Sequence, residues 1–172
     1  MRRFLLLDDE VKVLNALRRS LRVHLQIEGL LIETFEHPRA ALQRICECDF
    51  DLAISDYRMP QMDGVTFLQA LKEVAPHTVR IMLSASTEFQ TAMSAINEAQ
   101  VFRFIPKPWS VNDLGHCVHD ALALRDRLLA DAGLANHASQ VLGAQELEAQ
   151  RLEEEEPGIL KVNWGPDGSI IL

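Results

Sequence analysis

Three carboxylates, a hydroxyl and a lysine stand where apolar runs of this chain come to an end. Asp56 closes Leu52-Ala53-Ile54-Ser55 and is followed at once by Tyr57-Arg58-Met59-Pro60. Asp8 and Asp9 follow Phe4–Leu7, Ser84 follows Thr78–Leu83, and Lys107 comes just after Val101–Ile105. Short runs of strand formers bounded by turn residues read as buried strands. In open α/β sheets, sites gather at the C-terminal ends of such strands. Acids brought together there repel one another and require a cation. Hard oxygen ligands with room for water suit Mg2+. A lysine beside them adds positive charge, and the set fits phosphoryl transfer, where positioning and charge neutralisation carry most of the catalysis. A carboxylate such as Asp56 can itself be the nucleophile and hold the phosphoryl group. Ser84 offers a hydroxyl to a phosphoryl oxygen, and Ala85 beside it leaves space.

The elements that must position these groups alternate along the chain. Strands are expected at Phe4–Leu7, Leu30–Phe35, Leu52–Ser55, Thr78–Leu83 and Val101–Ile105. Between and after them, apolar residues recur at helical spacing: Val11 to Gln26, Pro38 to Cys46, Asp63 to Val74, Thr87 to Ala99, and Ser110 to near Ala132. Ser110 is a plausible N-cap with Asp113 at the N3 position. Strands that alternate with helices and are nearly continuously apolar imply a (βα)5 α/β fold, a doubly wound parallel sheet covered on both faces.

Bulk properties narrow the function. The chain has 172 residues, 48% of them hydrophobic, enough for one domain and an appendage. Its net charge of −8 argues against nucleic acid as the main partner, because phosphate backbones need clustered Lys and Arg. Residues 136–172 carry 7 acidic and 2 basic residues, so the acidity is concentrated in the tail. Cys46, Cys48 and Cys117 are too few and too scattered for a disulfide framework. The six histidines show no ligand-like convergence. Phe4–Leu7 is too short for the ~7–15 residues of a signal-peptide core, and no run approaches the ~18 residues of a membrane span. A cytoplasmic protein without membrane or direct DNA contacts is expected. Arg18, Arg19 and Arg22 share one helix, as a solvated face or a docking surface for a kinase.

Taken singly, each site residue has an ordinary explanation, such as a helix-end acid, a turn residue or a solvated lysine. Taken together they resemble a known family. Asp8-Asp9, Ile54-Ser55-Asp56 through Met59-Pro60-Gln61-Met62-Asp63-Gly64, Ser84-Ala85, and Phe104-Ile105-Pro106-Lys107-Pro108-Trp109 look like the receiver domain of two-component response regulators. The likeness runs from residue 4 to near residue 130. Asn97-Glu98 and Phe102-Arg103-Phe104 are further similar to receivers joined to HD-GYP-type phosphodiesterase or hydrogenase-regulator outputs. The resemblance implies a flavodoxin-like strand order of 2-1-3-4-5. It also implies that Asp56 accepts a phosphoryl group from a histidine kinase or phosphotransfer protein. Asp9 and Asp56 would bind Mg2+ directly, Asp8 mainly through water, and Arg58 through its backbone carbonyl. Lys107 would pair with the phosphoryl group, and the Lys107–Pro108 peptide would be cis. Ser84 and Phe104 would form the switch pair, although Phe104 can also be read as a plain core aromatic. Such a protein is no conventional enzyme; it only takes up and loses its own phosphoryl group. Ser84 where threonine is commoner, and Pro106 before Lys107, depart from the family pattern.

The organisation expected is a receiver over residues 1–132, a helical linker over 133–156 weakened at Gly133, and a β-hairpin tail over 157–172. Apolar residues at Leu134, Ala138, Val141 and Leu152 are interrupted by Gln145 and Glu148, so a continuous coiled coil is weakly supported. Ile159–Trp164 and Ser169–Leu172 flank Gly165-Pro166-Asp167-Gly168, a turn signal. A lone hairpin is marginal in water. A homodimer through the 110–132 helix and the tail is therefore expected. Two other functions stay open: a regulatory subunit acting in trans on a separate kinase or cyclic-dinucleotide enzyme, and a hydrolase of small phosphates.

Overall fold

The computed structural model describes residues 1–85, 99–155, 163–164 and 170–171. Its strands are β1 (Arg3–Leu7), β2 (Leu31–Phe35), β3 (Leu52–Asp56), β4 (Val79–Ala85) and β5 (Arg103–Lys107). The described helices are α1 (Val11–Leu25), α2 (Pro38–Glu47), α3 (Gly64–Val74) and α4 (Val111–Glu155). The strands form one parallel sheet in the order β2-β1-β3-β4-β5, as the resemblance implied. The helix expected at 87–99 lies outside the described residues except for Ala99, which is helical.

Why the strands read as unbroken apolar runs is plain from the two cores. Phe4, Leu6, Ile54, Ile81 and Leu83 face one layer, against Leu14, Leu17 and Leu21 of α1 and Leu114, Val118 and Ala121 of α4. Leu5, Leu7, Ala53 and Met82 face the other, against Ala41 and Ile45 of α2 and Phe67, Leu68 and Leu71 of α3. Side chains alternate along a strand, so a sheet covered twice needs apolar residues at every position.

Two expectations shift. The fifth strand runs two residues later than the sequence suggested, and Lys107 is its last residue rather than a neighbour beyond it. The ladder opens at Ile81 opposite Arg103 and closes at Ala85 opposite Lys107. Pro106 does not end the strand, because β5 is an edge whose free side needs no amide donor. The last helix also continues past Gly133 and Gly143 to Glu155. A helix-interior glycine costs only about 1 kcal/mol relative to alanine, and the surrounding Ala, Leu, Gln and Glu outweigh that. Ser110 caps the helix as expected, its hydroxyl accepting from the Asp113 amide at 3.3 Å.

The chain divides into two compact units, Met1–Leu129 and Ala130–Leu172. In the second, β6 (Asn163–Trp164) pairs antiparallel with β7 (Ile170–Ile171). The remainder of the expected hairpin falls outside the described residues. No described helix is long and apolar enough to cross a membrane.

At the N-terminal edge of the sheet, Asp51 gathers three elements. It accepts from the Arg3 amide at 2.8 Å and from Arg2 at 3.1 Å, and it lies 3.7 Å from Nε of the buried Arg125 on α4. Arg2 also grips Asp126 through two bonds of 2.9 and 2.8 Å. Removing one partner of a buried ion pair leaves an uncompensated charge, typically costing ~3–5 kcal/mol, and here less for the exposed share. Asp51→Ala should therefore lose about 2–4 kcal/mol of stability in urea unfolding. A loss near zero would show that this network does not hold α4 to the sheet.

Candidate functional site

At the opposite edge, neighbouring strands deliver the acids. β1 and β3 pair with Leu7 opposite Ser55, so Asp8 and Asp56 emerge side by side. Asp8 is 1% exposed and Asp56 6%, while Asp9 is exposed. One oxygen from each of the three lies within 4.8 Å of the others. Asp8 has both oxygens engaged: Oδ1 accepts from the Glu10 amide at 2.8 Å, and Oδ2 from Lys107 Nζ at 2.7 Å. The same Nζ lies 2.7 Å from Asp56 Oδ1. One ammonium thus ties two buried carboxylates.

The balance of charge is incomplete. Burial pushes the Asp56 carboxyl above its usual value; Lys107 works against the rise, and the Asp8 charge adds to it. Burial disfavours the Lys107 ammonium, but its bonds to Asp56 and Asp8 prevail and raise its pKa. A further cation would relieve the remaining repulsion, and three hard oxygens suit one of the Mg2+ type.

The remaining expected residues are placed as follows. Arg58 lies exposed in the loop after β3. Ser84, 3% exposed on β4, donates to the Ala85 carbonyl at 3.3 Å. Phe104 is half-buried against the second core, and its strand position is opposite Met82. The Lys107–Pro108 peptide is cis. Trp109 bonds Ser20 of α1 through its indole nitrogen at 3.3 Å. A cleft of about 90 Å³ beside Asp9 is lined by Glu36, His37, Met59 and Gln61 among others. That is well below the ~300–1,000 Å³ of small-molecule pockets.

Sequence reasoning missed one structural requirement of the site. A Cβ on Gly64 would overlap the Asp56 carbonyl oxygen and crowd Tyr57. The Gly64 amide donates to the Tyr57 carbonyl at 2.8 Å, and Asp63 caps α3 by accepting from the Thr66 amide at 2.7 Å. The Asp63-Gly64 pair marks a turn, but only the fold reveals that α3 seats directly on the end of β3, where Asp56 stands.

The raised Asp56 pKa has a stability consequence with a definite sign. An acid whose folded pKa lies above its unfolded value favours folding below the unfolded pKa. That contribution is lost as pH rises through the folded pKa. Asp56→Asn should therefore be more stable than the wild type at neutral pH without metal, and the difference should vanish in strong acid. Added Mg2+ should raise the melting temperature of the wild type far more than that of the variant. Thermal unfolding across pH checks both, and a wild type more stable than Asp56→Asn in metal-free neutral buffer would refute the account.

Comparison with known proteins agrees with this architecture. The family model for the response regulator receiver domain matches residues 4–119. The hydrogenase transcriptional regulatory protein HoxA of Cupriavidus necator is 33% identical over 118 residues, covering 69% of this chain and 23% of that protein. The regulatory protein AtoC of Escherichia coli is 32% identical over 126 residues, covering 72% of this chain and 26% of that protein. The chain thus spans about a quarter of the length of these curated relatives. Among solved structures, the signal receiver domain of an HD domain-containing protein from Pseudomonas fluorescens Pf-5 superposes with a TM-score of 0.69 at 28% identity, covering 75% of this chain and 92% of that one. A structure described as an adenylate cyclase from Rhodopirellula baltica gives 0.71 at 32% identity, over 78% and 97%. With the family model spanning more than half of its residues, this chain belongs to the response regulator receiver domain family.

Proposed function

We propose that Asp56 is the phosphoryl acceptor and that the chain is a Mg2+-dependent phosphorylation switch served by a histidine kinase or phosphotransfer protein. The observation that carries this reading is the Lys107 ammonium, 2.7 Å from both Asp8 and Asp56 at the C-terminal edge of the sheet. An Asp56 oxygen attacks phosphorus and the P–N bond of the donor phosphohistidine breaks. The imidazole leaves with the electron pair and takes up a proton. Mg2+, when bound, neutralises charge on the transferring group. Asp9 and Asp56 would hold it directly, Asp8 through water, and Arg58 through its carbonyl. Lys107 then exchanges its bond to Asp56 Oδ1 for one to a phosphoryl oxygen. Added phosphoryl charge biases a two-state element. Ser84 and Phe104 are that element, the hydroxyl turning to the phosphoryl group and the ring inward.

Acetyl phosphate with Mg2+ should add one phosphoryl mass increment to the intact protein, and EDTA or Asp56→Asn should abolish it. Equal incorporation in Asp56→Asn would refute the assignment.

The output is proposed to be protein contact, through a homodimer formed by the 110–132 helix and the tail. In support, Leu129 is exposed within the 110–132 stretch of α4, and Leu134, Val141, Leu142 and Leu147 are exposed further along the same helix. Light scattering should give a dimer mass that falls to the monomer value when residues 133–172 are deleted. An unchanged mass would overturn this part.

A further inference from the structure

Alternate positions of a strand share a face, so Arg80, Met82 and Ser84 of β4 look onto one layer. Met82 lies there with Ala99, Val101 and Phe104. Arg80 is 7% exposed, and burial holds its pKa below the usual arginine value. A guanidinium buried this deeply is costly unless its donors are met. Here they meet main-chain oxygens. Nε donates to the Ala99 carbonyl at 3.0 Å, and Nη1 to the Thr78 and Pro76 carbonyls at 2.8 and 3.3 Å. Nη2 reaches the Gln100 carbonyl at 3.5 Å. The Arg80 carbonyl in turn accepts from the Phe102 amide at 2.7 Å.

Two of the four partners share a chemical character. Ala99 is helical, and Gln100, at φ 48°, follows it in the left-handed region. The last carbonyls of a helix lack intrahelical donors and carry the negative end of its dipole. A planar fork of donors spreads over several such oxygens; a lysine offers a point charge and an apolar residue offers nothing. Packing alone would be served better by an apolar side chain.

We propose that Arg80 is a positioning residue of the switch. It pins residues 99–102, where the chain returns to the sheet, to the N-terminal half of β4, and thereby confines rearrangement to the Ser84 end. The inference rests on the reading of Asp56 as phosphoryl acceptor. Ser84 stands four residues further along the strand, roughly 13 Å away at ~3.3 Å per residue. β5 starts from the same fixed point, with Phe104 two residues beyond Phe102.

Amide hydrogen exchange of the full chain tests this, comparing wild type, Arg80→Met and Arg80→Lys with and without Mg2+ and beryllofluoride. The Phe102 amide of the wild type should exchange at the same rate in both states. In Arg80→Met it should exchange about tenfold faster and become sensitive to beryllofluoride, with Arg80→Lys between the two. Beryllofluoride binding itself should be unchanged, since Arg80 touches no group of the acidic site. If Arg80→Met does not fold, Arg80→Lys decides, because it keeps the charge and loses the fork. Wild-type exchange at Phe102 in Arg80→Lys, or a Phe102 response to beryllofluoride already in the wild type, would overturn the proposal. A wild type that fails to bind beryllofluoride would instead refute the acceptor reading. The ligand-free comparison at Phe102 would still decide whether Arg80 pins the chain.

Discussion

The Lys107 ammonium, 2.7 Å from one oxygen of Asp8 and one of Asp56, is the interaction on which the architecture of the site turns. Adjacent strands lie ~4.8 Å apart, so β5 runs roughly 10 Å from β3 with β4 between them. Only a long side chain spans that gap. The acids need no such reach, because β1 and β3 are neighbours in register. Strand order therefore dictates residue type: short acids on the central pair and a long cation on the edge. The extension of β5 to Lys107 itself brings the amine to both carboxylates.

The two edges of the sheet treat charge in opposite ways. At the N-terminal edge, Asp51 is surrounded by Arg2, the Arg3 amide and Arg125, and Arg2 is shared with Asp126. Charges there are matched and hold β1, β3 and α4 together. At the C-terminal edge three carboxylates face one ammonium, and burial, with the Asp8 charge adding to it, pushes the Asp56 carboxyl up. The matched edge stabilises; the unmatched edge carries an imbalance that a cation would relieve. That division follows the general rule that α/β sheets place chemistry beyond the carboxyl ends of their strands.

Much of this was legible in the sequence, for physical reasons that also explain what was not. Parallel strands buried on both faces must be apolar throughout, so Phe4–Leu7 and Leu52–Ser55 announce themselves. The acids at their ends stand out because a charge rarely follows a buried strand without a use. The end of β5 was harder to read, since Pro106 looks like a stop signal and is one only in a strand paired on both sides. Gly133 misled in the same manner: its local penalty is real, yet smaller than the sum of the helix formers around it. The seat of Gly64 under the Asp56 carbonyl and the Arg80 bonds to the Ala99 and Gln100 carbonyls are contacts between separate segments. No local pattern encodes them, and an arginine in an apolar run reads simply as an interruption.

In the proposed switch, bistability would begin at the Ser84 hydroxyl. Its bond to the neighbouring Ala85 carbonyl is 3.3 Å long and joins two neutral groups. A hydrogen bond of that kind contributes about 0.5–1.5 kcal/mol net, whereas one to a charged acceptor is worth about 1.5–3. An anionic group at Asp56 would therefore outbid the Ala85 carbonyl without breaking anything of consequence. The cost of the exchange falls on packing instead, because Ser84 is almost fully buried and its strand neighbour Met82 lies opposite Phe104. A close-packed interior moves between discrete arrangements and does not deform continuously. In the proposed switch, a small gain at one hydroxyl would thus be converted into a choice between two positions of a large ring.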